Sequence, residues 1–168
     1  MWNTGLNDIG NCLSDDINIV DGEDKKLAVS VAAGKSANWK SVIFPWCSDG
    51  QEVRQKAFQV WSLKSGQIVC YLFQDYSDNK IYWSMDSDKN GSVYDPTQLW
   101  SNRKQLTSGT AAGAAPLDPY SAISIVIQND KIWGMDSSSQ NKLFETAFTQ
   151  ALNVTNTITG IIGKVAAL

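Results

Sequence analysis

The residues best spaced to do chemistry lie in Asp86-Ser-Asp88-Lys-Asn90-Gly91. Oxygen-bearing side chains at alternate positions, followed by a glycine for the sharp turn, resemble the opening of a calcium loop, because hard cations take oxygen ligands. The place where a bidentate glutamate should close such a loop holds Thr97, which leaves Asp95 as the fourth candidate ligand. The competing reading is a hairpin turn with Asn90-Gly91 as a type I′ corner and solvated aspartates. Calcium, on Asp86, Asp88, Asn90 and Asp95, is the one cofactor the sequence suggests.

Aromatic side chains offer a second kind of chemistry. The chain carries seven tryptophans. Trp46, Trp61, Trp83 and Trp133 have core-like neighbours and are expected to be buried. Trp2, Trp39 and Trp100 sit beside polar residues and turn signals, and Tyr76 falls in a turn. Exposed rings beside Asn, Asp and Gln side chains suit sugars, which stack their apolar C–H face and hydrogen-bond through their rim. Trp39, Tyr76, Trp100 and Trp2 are therefore the candidate ligand-binding residues. The alternative is that these rings close the ends of the fold.

Other chemistries are removed by composition. There is no histidine, which excludes Ser-His-Asp and Cys-His catalysis as well as histidine-ligated metal. Glutamate is scarce, and most aspartates stand in turn contexts such as Asp21-Gly22 and Asp49-Gly50, so a glycosidase-like carboxylate pair is not expected. The reading is of a protein that is not an enzyme. Net charge is −3, with only two arginines and no basic patch, so nucleic acid is not an expected partner. Cys12, Cys47 and Cys70 show neither CxxC spacing nor an even count, and are expected to be free and structural, with a Cys47–Cys70 bridge as the alternative. The opening residues show no basic segment followed by an apolar run. That fits both a cytosolic protein and a secreted one whose leader has been removed, so the compartment stays open. No run is long and apolar enough to predict a membrane-spanning helix.

The elements that must position these residues are mostly strands. Alternation predicts strands over 26–32, 39–46, 57–63, 67–75, 80–86, 122–128 and 131–136. Lys64-Ser65-Gly66 and residues 76–79 read as hairpin loops, and Asn129-Asp130 as a two-residue turn of the kind favoured by residues that tolerate positive φ. Segment 67–75 is apolar on both faces, as a central strand is. Residues 1–25 read as polar apart from the short run 17–20. An echo links Trp83-Ser-Met-Asp-Ser87 to Trp133-Gly-Met-Asp-Ser137, a spacing compatible with a duplicated hairpin, a trefoil or propeller blades. From residue 141 the apolar period becomes helical, through Leu143, Phe144, Ala147, Phe148, Ala151 and Leu152. β-branched residues over 153–159 leave the second half of that helix open.

The stretch CYLFQDYSDNKIYW, with Trp100 following, resembles the middle strands of a blade in the fungal fucose-binding propeller lectins. The arginine and glutamate that contact sugar in that family have Cys70 or Leu72, and Tyr82 or Ser84, in the corresponding places. The resemblance implies a lectin-like strand pair and carries over no binding residue.

The sequence thus predicts a mainly β protein: a soluble antiparallel β-sandwich over residues 1–140, with a C-terminal α-helix over 141–168 packing on the domain or between protomers. Propeller-blade-like repeats are the alternative. The expected function is carbohydrate recognition without catalysis. Two other readings are a membrane-interacting or pore-forming protein and an assembly protein oligomerising through residues 141–168.

Overall fold

The computed structural model describes residues 3–111, 113–118, 121–137 and 141–166, with side chains described except at 141, 142 and 156–166. Eleven strands and three helices are described: β1 Gly5–Asn11, β2 Ile17–Asp21, β3 Ala28–Val31, β4 Ser36–Ile43, β5 Trp46–Cys47, α1 Gly50–Lys56, β6 Phe58–Ser62, β7 Gln67–Asp75, β8 Ile81–Met85, α2 Pro96–Ser101, β9 Lys104–Gln105, β10 Ala122–Ile127, β11 Ile132–Asp136 and α3 Asn141–Ala166. The strands form two packed sheets. The smaller runs β11-β10-β1-β4; the larger runs β3-β2-β6-β7-β8-β9, with β5 beside β7. Pairing is antiparallel except for β1 with β10 and β5 with β7.

The architecture is the expected β-sandwich with a C-terminal helix, and not a set of propeller blades. The two halves of the sequence echo, β8 and β11, are each the second strand of a hairpin, yet they lie in opposite sheets. One short segment touches both: Lys104 pairs with Trp83, and Thr107 bridges to Trp133.

Burial follows strand alternation. Leu6, Ile9, Ile17, Ile19, Phe58, Val60, Cys70, Leu72, Ile123 and Ile125 meet between the sheets. The other face of β7 also carries apolar side chains: Tyr71 and Phe73 pack with Val53, Ala57 and Leu99 beneath α1 and α2. β7 is therefore central in its sheet and covered on both faces. On the far side, Phe144, Phe148 and Ala151 of α3 cover Val126 and Trp133. The molecule is thus four layers deep, helices outside and sheets inside. The cysteines are free and buried. Cys70 faces the space between the sheets while Cys47 lies under α1, so the two occupy opposite sides of β7.

Three elements differ from expectation. β1 lies in a stretch read as polar, yet it is the strand between β10 and β4 and buries Leu6 and Ile9. Asp49-Gly50, read as a turn, starts α1: the Asp49 carboxylate accepts the Glu52 N–H at 2.9 Å. The strand expected over 39–46 ends early. β4 carries a bulge opposite β1, with Lys40 and Ser41 in the left-handed region at φ 55° and 58°, and Asn38 Oδ1 accepts the Lys40 N–H.

Candidate functional site

The acidic loop after β8 is a hairpin. Gly91 N–H donates to Asp88 O, Asp88 N–H donates to Ser92 O, and Gly91 takes φ +84°. Asn90 keeps a negative φ, so the corner is not type I′; it has the pattern of a three-residue loop whose last residue is left-handed. The four candidate cation ligands serve separate local purposes. Asp86 accepts from the Tyr71 hydroxyl at 2.9 Å. Asp88 Oδ1 accepts the Asn90 and Ser92 N–H groups at 2.8 and 2.9 Å. Asp95 is the N-cap of α2, in a reciprocal capping box with Gln98. Asn90 is exposed at the tip. Among the described residues no three His, Cys, Asp or Glu side chains are grouped to hold a metal.

The aromatic candidates are also redistributed. Trp39 points inward on the same face of β4 as Ala37, packs at a tilt against Phe58 with ring centroids 4.8 Å apart and is only 7% exposed, so it belongs to the core. Trp100 is half-buried, with Phe73 at 5.9 Å and the Arg103 guanidinium 4.1 Å from its ring centroid. Its surface is largely spoken for by packing. Tyr76 is 56% exposed, edge-on to Trp46 at 6.0 Å, and Trp46 Nε1 donates to Asn3 Oδ1 at 2.9 Å. Trp2 lies outside the described residues. Of the four tryptophans expected to be buried, Trp83 and Trp133 are, whereas Trp46 and Trp61 are half-buried. Trp61 sits on the outer face of β6, beyond the helices, where Val20, Leu63 and Gln59 share a shallow cleft of about 340 Å³ with it.

A larger cleft, about 410 Å³, opens where the hairpin after β8, the end of α2, β9 and the β10–β11 turn converge. Its apolar wall is Trp83, Met85 and Tyr94; around it stand Ser87, Asp88, Lys89, Asn102, Lys104, Asn129 and Asp130. Trp83 is almost fully buried and forms the base, with Lys104 Nζ 5.2 Å from its ring centroid. Met85 and Tyr94, both half-buried, supply the accessible apolar surface. The hairpin is well braced: Tyr94 N–H donates to Asp86 O, Arg54 donates to Tyr94 O, and Ser87 bridges to Val93. Burial, reinforced by the hydrogen bond to Asp86, pushes the Tyr71 hydroxyl up to about 12. That phenol stays protonated and keeps donating at neutral pH.

Sequence reasoning singled out Asp88 as a candidate cation ligand, Trp83 as a core residue and Trp83, Met85 and Ser87 as part of the echo, but did not bring them together as a cleft. Tyr94, Asn102 and Lys104 carry no local signal, because the hairpin after β8 delivers the first and the α2–β9 junction the other two. Asn129-Asp130 was legible as a turn; that it faces the β8 hairpin was not.

Burial pushes the thiols up, to about 11 at Cys12 and about 12 at Cys70, and Cys47 is raised as well, so none is a ready thiolate. No helix among the described residues is long and apolar enough to cross a membrane. Comparison with protein-family models, with curated proteins and with solved structures gives no match.

Proposed function

We propose that this protein is a non-catalytic recognition protein and that its ligand is a carbohydrate held in the cleft between the β8 hairpin and the β10–β11 turn. One observation carries the reading: accessible apolar surface from Met85 and Tyr94, over a buried base of Trp83, is surrounded by polar side chains, of which Asn102, Asn129 and Asp130 make no side-chain hydrogen bond among the described residues. Sugars need that combination, an apolar surface for the ring face and both donors and acceptors for the hydroxyl rim. Asn side chains supply both in one group. The mixed charges, Lys89 and Lys104 against Asp88 and Asp130, suit a neutral polyol better than a strongly charged ligand.

Four of the acids have structural duties, which favours recognition over catalysis. Asp49 and Asp95 cap helices, Asp88 holds a turn, and Asp75 is fully buried against Arg103 with Nε 3.3 Å away. Each has a structural duty that explains it. A glycan array probed with wild-type protein and with Asn102→Ala tests the reading. Binding to a sugar class by the wild type, weakened by about tenfold in the variant, is expected for the loss of about 1–2 kcal/mol of hydrogen bonding. An empty array, or binding indifferent to Asn102→Ala and to a second variant, Asp130→Ala, would refute it.

A further inference from the structure

We infer that the ligand is an oligosaccharide chain that crosses Asn129 into a second cavity, rather than a single sugar confined to the first; this rests on the glycan reading above. The β10–β11 turn is the shared feature. Asn129 lines the 410 Å³ cleft on one side and, on the other, a second open cavity of about 370 Å³. That cavity lies between the β1–β2 loop, the β3–β4 turn and α3, and like the first it combines apolar and polar lining, here with aliphatic in place of aromatic side chains and with no charged one. Leu13, Ala33 and Leu152 give it apolar surface, while Ser14, Thr155 and Asn129 give it hydroxyl and amide groups.

The second cavity is pre-formed. Asn11 is fully buried and braces its wall: Nδ2 donates to Asp15 O at 2.9 Å and to Val31 O at 3.1 Å, and Oδ1 accepts the Leu13 N–H at 2.9 Å. Gly34, at φ +71°, donates its N–H to Asn11 O and ties the β3–β4 turn to the same anchor. Walls fixed in this way bind without first being ordered. Two cavities that each offer apolar surface and hydrogen-bonding groups flank an amide that makes no side-chain hydrogen bond among the described residues. A chain of linked sugars fits that arrangement, each unit meeting apolar surface edged by hydrogen-bonding groups, and Asn129 meeting the linkage between them.

The test is calorimetric titration of cello-, chito- and manno-oligosaccharides, each from monosaccharide to hexasaccharide, into wild type and Ser14→Trp. Ser14 is exposed and makes no side-chain hydrogen bond among the described residues, so a tryptophan there fills the second cavity without removing a contact of the fold. In at least one series, wild-type affinity is expected to rise by about tenfold or more as the chain outgrows the first cleft. That gain should vanish in Ser14→Trp, with the shortest binding sugar unaffected. Affinity that does not grow with length, or growth that survives Ser14→Trp and a second blocking variant, Thr155→Trp, overturns the extended site and leaves the single-cleft reading standing. No binding in any series overturns the glycan reading itself.

Discussion

At the scale of single residues, the clearest determinant is the absence of a side chain. A Cβ added at Gly10 would lie 2.4 Å from the Phe148 ring, so α3 can seat on the small sheet only because β1 is bare at that point. Gly10→Ala should therefore cost about 1–3 kcal/mol as an overpacked contact. Urea unfolding of Gly10→Ala and of Gly10→Ala/Phe148→Leu checks this: the smaller leucine should recover part of the loss, whereas equal loss in both would place the strain elsewhere. Gly50 plays a matching part on the opposite surface, where a Cβ would collide with the Pro96 carbonyl and push α1 off α2. Tryptophan identity was a weaker guide than strand register. Trp39 has polar neighbours in sequence and yet is buried by its alternation with Ala37, while Trp61 has apolar ones and faces out. What decides burial is which sheet face receives cover, and that cover comes from distant segments.

At the scale of elements, the hairpins were legible and the caps were not. β7, apolar on both faces, occupies the central position its pattern implies, with residues 67–75 as its bounds. Gly66 and Asn79, in the hairpin loops on either side, take φ +67° and +64°. By contrast α1 and α2 are too short, at seven and six residues, for a helical period to show. Their signatures were the caps, Asp49 with Glu52 and Asp95 with Pro96 and Gln98, which also suit turns or ligands. Asp95 is the instructive case, because the same carboxylate was a candidate cation ligand. Asp95→Ala should lower stability by about 1 kcal/mol through loss of the cap. That corresponds to roughly 2–4 °C in thermal midpoint for a chain of this size. Millimolar calcium should leave the wild-type midpoint unchanged, since Asp86, Asp88 and Asp95 hold separate internal partners. A calcium-induced rise that Asp95→Ala abolishes would show instead that the loop rearranges around an ion.

At the scale of the whole molecule, function depends on what the layers bring together. The sandwich was readable from alternation and the C-terminal helix from its change of period. The surface that α3 covers was not, because its partners Cys12, Val126 and Trp133 come from three separate strands and loops. The cleft is assembled in the same non-local way. Its base is Trp83 of the large sheet, and its far wall is the turn between two strands of the small one. No stretch of sequence contains it, which is why the acidic loop alone suggested an ion while the assembled site suggests a sugar. The most direct test is an amide-proton NMR titration with whichever oligosaccharide the array selects. The side-chain amides of Asn102 and Asn129 and the backbone of residues 85–94 should shift together and saturate at one affinity. Shifts centred instead on Tyr76 and Trp46, or on the outer face around Trp61, with the cleft signals unmoved, would contradict the account.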